Sequence, residues 1–314
     1  MDHKKIGAAL IVKNEEKNIG RVISSLKSVC KQIVVVDTGS VDTTPSVCSM
    51  MGVELYFKKW TDDFSEARNF ALGFMRTDWI ISIDADEELD SGSLIEHLHL
   101  FDDPVSGGIR VKILNDLSTG GIREHTYTRI FRNHPNIRYS GRIHEQISDS
   151  ITDAGLSIVD SEIKITHHGY NTDEAERITR NKSLLEKEIS ENENDPWLKY
   201  HYAETLFSEG NSAIAMNLYQ QLTDSPMLSE LQKDTVRLRI GQIALSMNDY
   251  ALALELDKYS FADTDIEGLR LLVLVSTNLM TGNKARSKEL WNNNALHQSR
   301  MVDKNLLETI SKVL

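Results

Sequence analysis

Apolar positions along the first hundred residues recur with two alternating periods. Residues 6–12 (IGAALIV) are apolar throughout, as a strand buried on both faces requires. Asn14 then stands where it can cap a helix carrying Ile19, Val22, Ile23, Leu26 and Val29 on one face, a 3.6-residue period. Ile33–Val36 predicts a second buried strand and Val53–Phe57 a third, with a short helix opening near Pro45 between them. Phe64–Met75 is again amphipathic, and Trp79–Ile83 predicts a fourth strand. Short apolar strands alternating with helices predict a parallel α/β sheet.

The pattern changes after about residue 105. GGIRVKI, REHTYTRIFR and IVDSEIKIT are more polar and alternating, which predicts antiparallel strands appended to the sheet. From about residue 172 onward the chain reads as helix, with a break at Asn194-Asp195-Pro196. The expected organisation is an α/β domain over residues 1–171, a connecting helix over 172–194 and a helical array over 195–314. Within the array Ala203 precedes Gly210 by seven residues, and Ala215 and Tyr219 follow that glycine by five and nine. Gly241, Asn248 and Ala253 repeat the first three spacings, and Val275, Gly282 and Ser287 repeat them again. The resulting period of 38 and then 34 residues is that of a tetratricopeptide-like repeat, ahead of an ordinary helical bundle.

Composition narrows the function classes. A chain of 314 residues with 40% hydrophobic and 26% charged positions suits two soluble globular domains. Its net charge of −12 provides no global field for a nucleic-acid backbone, so an anionic ligand needs a metal ion or a few placed cations. Cys30 and Cys48 fall in no metal-ligand spacing and read as reduced thiols. The run at the N-terminus is too short for a signal peptide, and LLVLVSTNLM (271–280) is too short and polar to span a bilayer. A cytoplasmic protein is expected, reaching any membrane acceptor only by peripheral contact with the inner face.

Asp84-Ala85-Asp86 follows directly on WIISI. Carboxylates at i and i+2 of a strand end project into the crevice at the carboxyl edge, where α/β proteins bind ligands. Such a pair can hold Mg²⁺ or Mn²⁺, which would neutralise charge on a leaving nucleoside diphosphate. Among 47 Asp and Glu, however, chance pairs are common, and Glu87-Glu88 alongside also suits a solvated acidic turn. A second acidic strand end strengthens the case: Asp37 closes IVVV and opens Asp37-Thr38-Gly39-Ser40, where a carboxylate can accept from a base or ribose. Asp42-Thr43-Thr44 suits an Asx turn with a helix cap equally well. Arg68 can contact phosphate or brace an aspartate, with a surface salt bridge as the plain alternative. Glu145 is a candidate base beside His144, and His167 or His168 could place an imidazole beside the two aspartates.

Taken in order, IVKNEEKNI, VVVDTGSVDTT, DDFSEARNFAL, WIISIDADE, RIFRNHPNIRYSGRIHEQI and HHGY resemble family 2 glycosyltransferases of GT-A fold, in particular lipopolysaccharide-core β-1,4-glucosyltransferases. With the helical tail, the layout resembles bacteriocin peptide S-glycosyltransferases of the sublancin type. The resemblance covers residues 6–170; the tail matches in architecture only. It implies a Rossmann-like α/β domain with a mixed sheet, followed by an all-α repeat domain. Carried onto this sequence, it places Asn14, Asp37, Arg68 and Asp84 in the donor site, with Asp37 at the uracil or ribose. Asp86 and His167 would hold Mg²⁺ or Mn²⁺, and Glu145 would be the general base. Val41 stands where family members often have Thr. The implied reaction moves a sugar, glucose by resemblance, from a UDP-sugar to a saccharide, lipid-linked glycan or peptide with inversion. The repeats would serve acceptor docking or homodimerisation. A nucleotidyltransferase would need a Gly-rich loop where this chain has IVKNEE, and a glycoside hydrolase would need neither metal nor nucleotide. A repeat scaffold with an inactive catalytic domain is the alternative from another class.

Overall fold

In the computed structural model, which describes residues 5–116, 122–168, 174–192 and 194–314, the first apolar run forms β1 (Ile6–Val12), buried everywhere but at Ile11. It pairs in parallel with β2 (Gln32–Asp37) on one side and β4 (Trp79–Ser82) on the other, and β3 (Glu54–Phe57) extends the parallel half beyond β2. Helix α1 (Ile19–Leu26) buries Ile19, Val22, Ile23 and Leu26, the face that the period predicts. Helix α2 (Thr44–Met50) opens with Pro45 in its first turn, where a missing N–H costs nothing. The Asp63 carboxylate caps α3 (Phe64–Leu72) by accepting from Glu66 N at 2.8 Å. One core lies between α1 and the sheet around Leu10, Ile23, Leu26, Trp79 and Ile81. A second lies on the opposite face around Val34, Val36, Ala71, Ile80 and Phe131. Each such side chain contributes roughly 1.5–3 kcal/mol of transfer free energy.

Two expectations need correction, and one alternative falls. Asn14 caps no helix: α1 begins five residues later with Asn18 as its N-cap, and Asn14 instead has φ +56° in the loop after β1. The appended strands are also not all antiparallel. β6 (Ser106–Asp116) and β7 (Ile122–Arg132) form an antiparallel hairpin, and β7 joins the sheet antiparallel to β4. β8 (Ser157–His167) lies parallel to β6, because α5 (Ser148–Asp153) lies on the connection that carries the chain back before β8 starts. Finally, Glu87 does not sit in a solvated turn. It is 2% exposed and opens a short strand, β5 (Glu87–Leu89), antiparallel to β8 with Glu87 opposite His167. The sheet order is β3-β2-β1-β4-β7-β6-β8-β5. Leu89 N donates to Ser25 Oγ of α1 at 3.2 Å, so β5 returns to the helix layer.

The chain divides into two compact units, Met1–Arg177 and Ile178–Leu314. Helix α6 (Glu174–Glu191) leads into the second, which continues as α7 (Pro196–Ser208), α8 (Ser212–Leu222), α9 (Glu230–Ser246), α10 (Tyr250–Leu254), α11 (Thr264–Met280), α12 (Lys284–Trp291), α13 (Asn294–Gln298) and α14 (Lys304–Ser311). Helix α4 (Ser91–Glu96) belongs to the first unit. Motif residues Gly169 and Tyr170 lie outside the described residues, as does residue 172.

The repeat spacing has a structural cause. Gly210, Asn248 and Gly282 take φ of +81°, +61° and +80° in the turns α7–α8, α9–α10 and α11–α12. In each turn the next N–H (Asn211, Asp249, Asn283) closes back at 2.8 Å on the carbonyl of Leu206, Ala244 or Asn278. The small residues seven before and five after each turn are buried, and in the third hairpin Ser287 Oγ donates directly to Val275 O at 3.0 Å. A Cβ on Gly241 would stand 2.3 Å from Leu256 Cδ1. Gly210→Val and Gly282→Val should each cost about 1–2 kcal/mol, the strain of a branched residue in a left-handed turn. Asn248→Gly should change stability by only a few tenths, so urea denaturation should rank it apart from the two valine variants.

Candidate active site

The site is assembled at the carboxyl edge of the parallel strands. Asp37, the last residue of β2, accepts at Oδ1 from Gly39 N and Ser40 N, both at 2.8 Å. Gly39 turns the chain there at φ +115°. Asp37 Oδ2 is buried and receives no hydrogen bond among the described residues. A buried carboxylate oxygen without a donor is costly, which leaves this atom able to accept from a donor outside the described residues.

Beside it lies a buried charge cluster. Arg68 from α3 is 7% exposed and lies over the Tyr139 ring. Its Nη2 donates to Asp84 Oδ1 at 2.8 Å, its Nε to Glu145 Oε1 at 2.5 Å and its Nη1 to Ser82 Oγ at 3.2 Å. Arg129 from β7 approaches Asp84 from the other side: Nη2 donates to Asp84 Oδ2 at 3.1 Å and to Glu87 Oε1 at 2.8 Å. The Asp84 backbone N–H donates to Glu87 Oε2 at 2.9 Å. Two guanidiniums thus face three carboxylates. Burial opposes ionisation of Asp84, but the two arginines outweigh it and hold its carboxyl below the usual carboxylate range. Burial dominates at Glu87 and pushes its carboxyl up. Burial likewise raises the Glu15 carboxyl, with the charges of Asp86 and Asp84 adding to it.

Asp86 behaves differently from Asp84. Its Oδ2 lies 3.1 Å from His167 Nε2, and His167 Nδ1 is fixed at 2.8 Å from Asn115 Oδ1. Both side chains are partly exposed, at 31% and 27%. The strand register explains the meeting: β5 sets Glu87 opposite His167, and His168 N donates to Asp86 O at 2.9 Å. His168 Nε2 goes instead to Glu88 Oε2 at 3.2 Å. Among the described residues, no group of three or more His, Cys, Asp or Glu could hold a metal ion. One carboxylate oxygen and one imidazole nitrogen, adjacent and partly open, fit a divalent cation that takes its other ligands from a diphosphate and water.

The structure therefore joins Arg68, Asp84 and Glu145 in one cluster, pairs Asp86 with His167, and sets Asp37 at the end of β2. Asn14 lies in the neighbouring loop after β1, its Oδ1 accepting from Val41 N at 2.8 Å. Arg129, Glu87 and Asn115 also belong to the site. Arg129 sits within RIFR, and only the antiparallel register Ile81↔Ile130 brings it to the end of the strand carrying Asp84.

A mixed α/β sheet with acidic strand ends and arginines at its carboxyl edge, followed by repeated helical hairpins, defines a GT-A unit with a tetratricopeptide-like array. Residues 8–160 match the family model described as Glycosyl transferase family 2. A TPR repeat-containing protein of Synechococcus elongatus is 29% identical, with 69% of this chain and 56% of that protein covered. The SPbeta prophage-derived glycosyltransferase SunS of Bacillus subtilis is 28% identical, with 71% of this chain and 56% of SunS covered. The chain thus spans a little over half the length of these curated relatives. Residues 1–349 of S. aureus TarS superpose with a TM-score of 0.43 at 15% identity, covering 91% of this chain and 90% of that one. No helix among the described residues is long and apolar enough to cross a membrane.

Proposed function

We propose that the first unit is an inverting, metal-dependent hexosyltransferase using a UDP-sugar, with glucose the favoured sugar. The observation that carries this reading is the division of Asp84 from Asp86. Both Asp84 oxygens are taken by arginines, while Asp86 stands with His167 at the open edge. Asp37 Oδ2 accepts from the uracil imide or a ribose hydroxyl, and Asn14 shapes the same pocket. Arg68 and Asp84 form the floor under the nucleotide. Asp86 and His167 would hold Mg²⁺ or Mn²⁺, which when bound neutralises charge on the departing diphosphate.

Glu145 takes the proton of the acceptor as its nucleophilic atom attacks the anomeric carbon and the bond to the diphosphate breaks, which inverts the configuration. Its tie to Arg68 fixes the direction from which the acceptor is met. The acceptor is a saccharide, a lipid-linked glycan or a peptide, and the helical repeats supply a docking or dimerisation surface. The setting is the cytoplasm, with peripheral contact at the inner membrane face for a lipid-linked acceptor.

Calorimetry with UDP tests the reading. Binding should be clear with Mn²⁺ and at least about tenfold weaker after chelation. An absence of binding under both conditions would leave the scaffold reading in its place.

A further inference from the structure

The loops after β1 and β2 are laced together more densely than a nucleotide contact alone would need. Asn14 N donates to Ser40 Oγ and Val41 N donates to Asn14 Oδ1, both at 2.8 Å. Glu15 N donates to Thr44 Oγ1 at 2.7 Å and Glu16 N to Asp42 Oδ2 at 3.1 Å. Glu16 Oε2 returns the contact by accepting from Thr43 N at 3.1 Å and Thr43 Oγ1 at 2.7 Å. Asn14 makes its two bonds from a left-handed backbone, which Asn tolerates better than most residues.

Ser40 joins the two loops to Asp37. Its hydroxyl accepts from Asn14, while its N–H, together with that of Gly39, saturates Asp37 Oδ1. A carboxylate fixed through one oxygen presents the other in one direction, and that other oxygen is the buried, undonated Oδ2.

We propose that Asn14 is a positioning residue: it acts on the nucleotide through a two-loop latch that aims Asp37 Oδ2, and its amide does not touch the ligand. This rests on the donor reading above, and it replaces a direct contact from Asn14 with an indirect one. The distinction lies in chemistry. Of the Asn14 side chain the latch uses only the acceptor Oδ1, which Asp also supplies, while the backbone N–H that meets Ser40 Oγ is common to all three residues compared, and Asp also tolerates the left-handed backbone. A direct contact from the amide NH₂ would be lost in Asp. Gly keeps the backbone and removes the acceptor.

The test compares Asn14→Asp and Asn14→Gly with wild type. It uses UDP calorimetry with Mn²⁺ at physiological salt, and amide hydrogen exchange of the ligand-free protein. N14D should bind UDP within about threefold of wild type, the added charge being largely screened. N14G should bind about five- to tenfold more weakly, the worth of one hydrogen bond, with faster exchange at Ser40 and Val41. Equal weakening of N14D and N14G overturns the latch in favour of a direct amide contact. So does an N14G protein with loosened Ser40 and Val41 amides that still binds UDP as wild type does. Wild-type protein that binds no UDP overturns the donor reading. The exchange arm needs no ligand, and unchanged protection of Ser40 and Val41 in N14G then overturns the latch on its own.

Discussion

Asp86→Ala is expected to abolish Mn²⁺-dependent donor hydrolysis and sugar transfer while leaving the protein folded. The carboxylate is one of the two side chains proposed to hold the cation, and it lies 31% exposed against His167 at the rim of the sheet. Loss of a divalent ion from a departing diphosphate removes several kcal/mol of transition-state stabilisation, a rate loss of about a thousandfold. The fold should hardly register the change. Asp86 makes a partly exposed pair, and such pairs contribute about 0–1 kcal/mol to stability. Thermal unfolding should therefore fall within about 1 kcal/mol of wild type, and metal-free UDP binding through Asp37 should persist. His167→Ala should reproduce the loss, though less completely, because a water can fill an imidazole's place at a cation. Turnover of Asp86→Ala at the wild-type rate with UDP-glucose and Mn²⁺ would sink the assignment.

An acidic chain would need a local answer to its own charge in order to bind an anion. Arg68 and Arg129 are set among the three carboxylates of Asp84, Glu87 and Glu145, and burial pushes the Glu87 carboxyl up.

Much of the parallel half was legible because a strand buried on both faces writes itself as an unbroken apolar run, as at Ile6–Val12 and Ile33–Val36. The hairpin turns were legible too, since Gly210, Asn248 and Gly282 occupy positions that demand a left-handed backbone. What stayed hidden was pairing. Nothing local distinguishes a polar strand laid parallel to β6 from one laid antiparallel, so β8 was misjudged. Three residues of Glu87–Leu89 are too few to show a period, so β5 went unseen, and with it the contact that brings His167 to Asp86. Asn14 failed as a cap for a different reason: its side chain accepts from Val41 N, 27 residues away, while its backbone N–H donates to Ser40 Oγ, a competition that local helix signals do not contain.

Arg68→Met should be the most damaging single change in the first unit. The guanidinium is 7% exposed and divides its donors between Asp84 at 2.8 Å and Glu145 at 2.5 Å. Methionine fills much of the same volume without donating, so two carboxylates lose their common partner inside the fold. Breaking a buried pair by removing one member costs about 3–5 kcal/mol. The lower end applies, because the Asp84 side chain is 33% exposed and Arg129 still reaches its other oxygen. For a unit of this size that is a drop of about 6–12 °C in the unfolding midpoint. Arg68→Lys should recover only part, since one ammonium cannot span two carboxylates as a planar fork does. The diagnostic variant is Arg68→Met with Asp84→Asn. Neutralising the stranded carboxylate should restore about 1–2 kcal/mol, a coupling that a purely steric role for Arg68 would not produce. UDP affinity should stay low in the double variant although stability returns, because the floor under the nucleotide has lost its cation. Additive effects of the two substitutions on stability would show that the ion pair does not hold the cluster together.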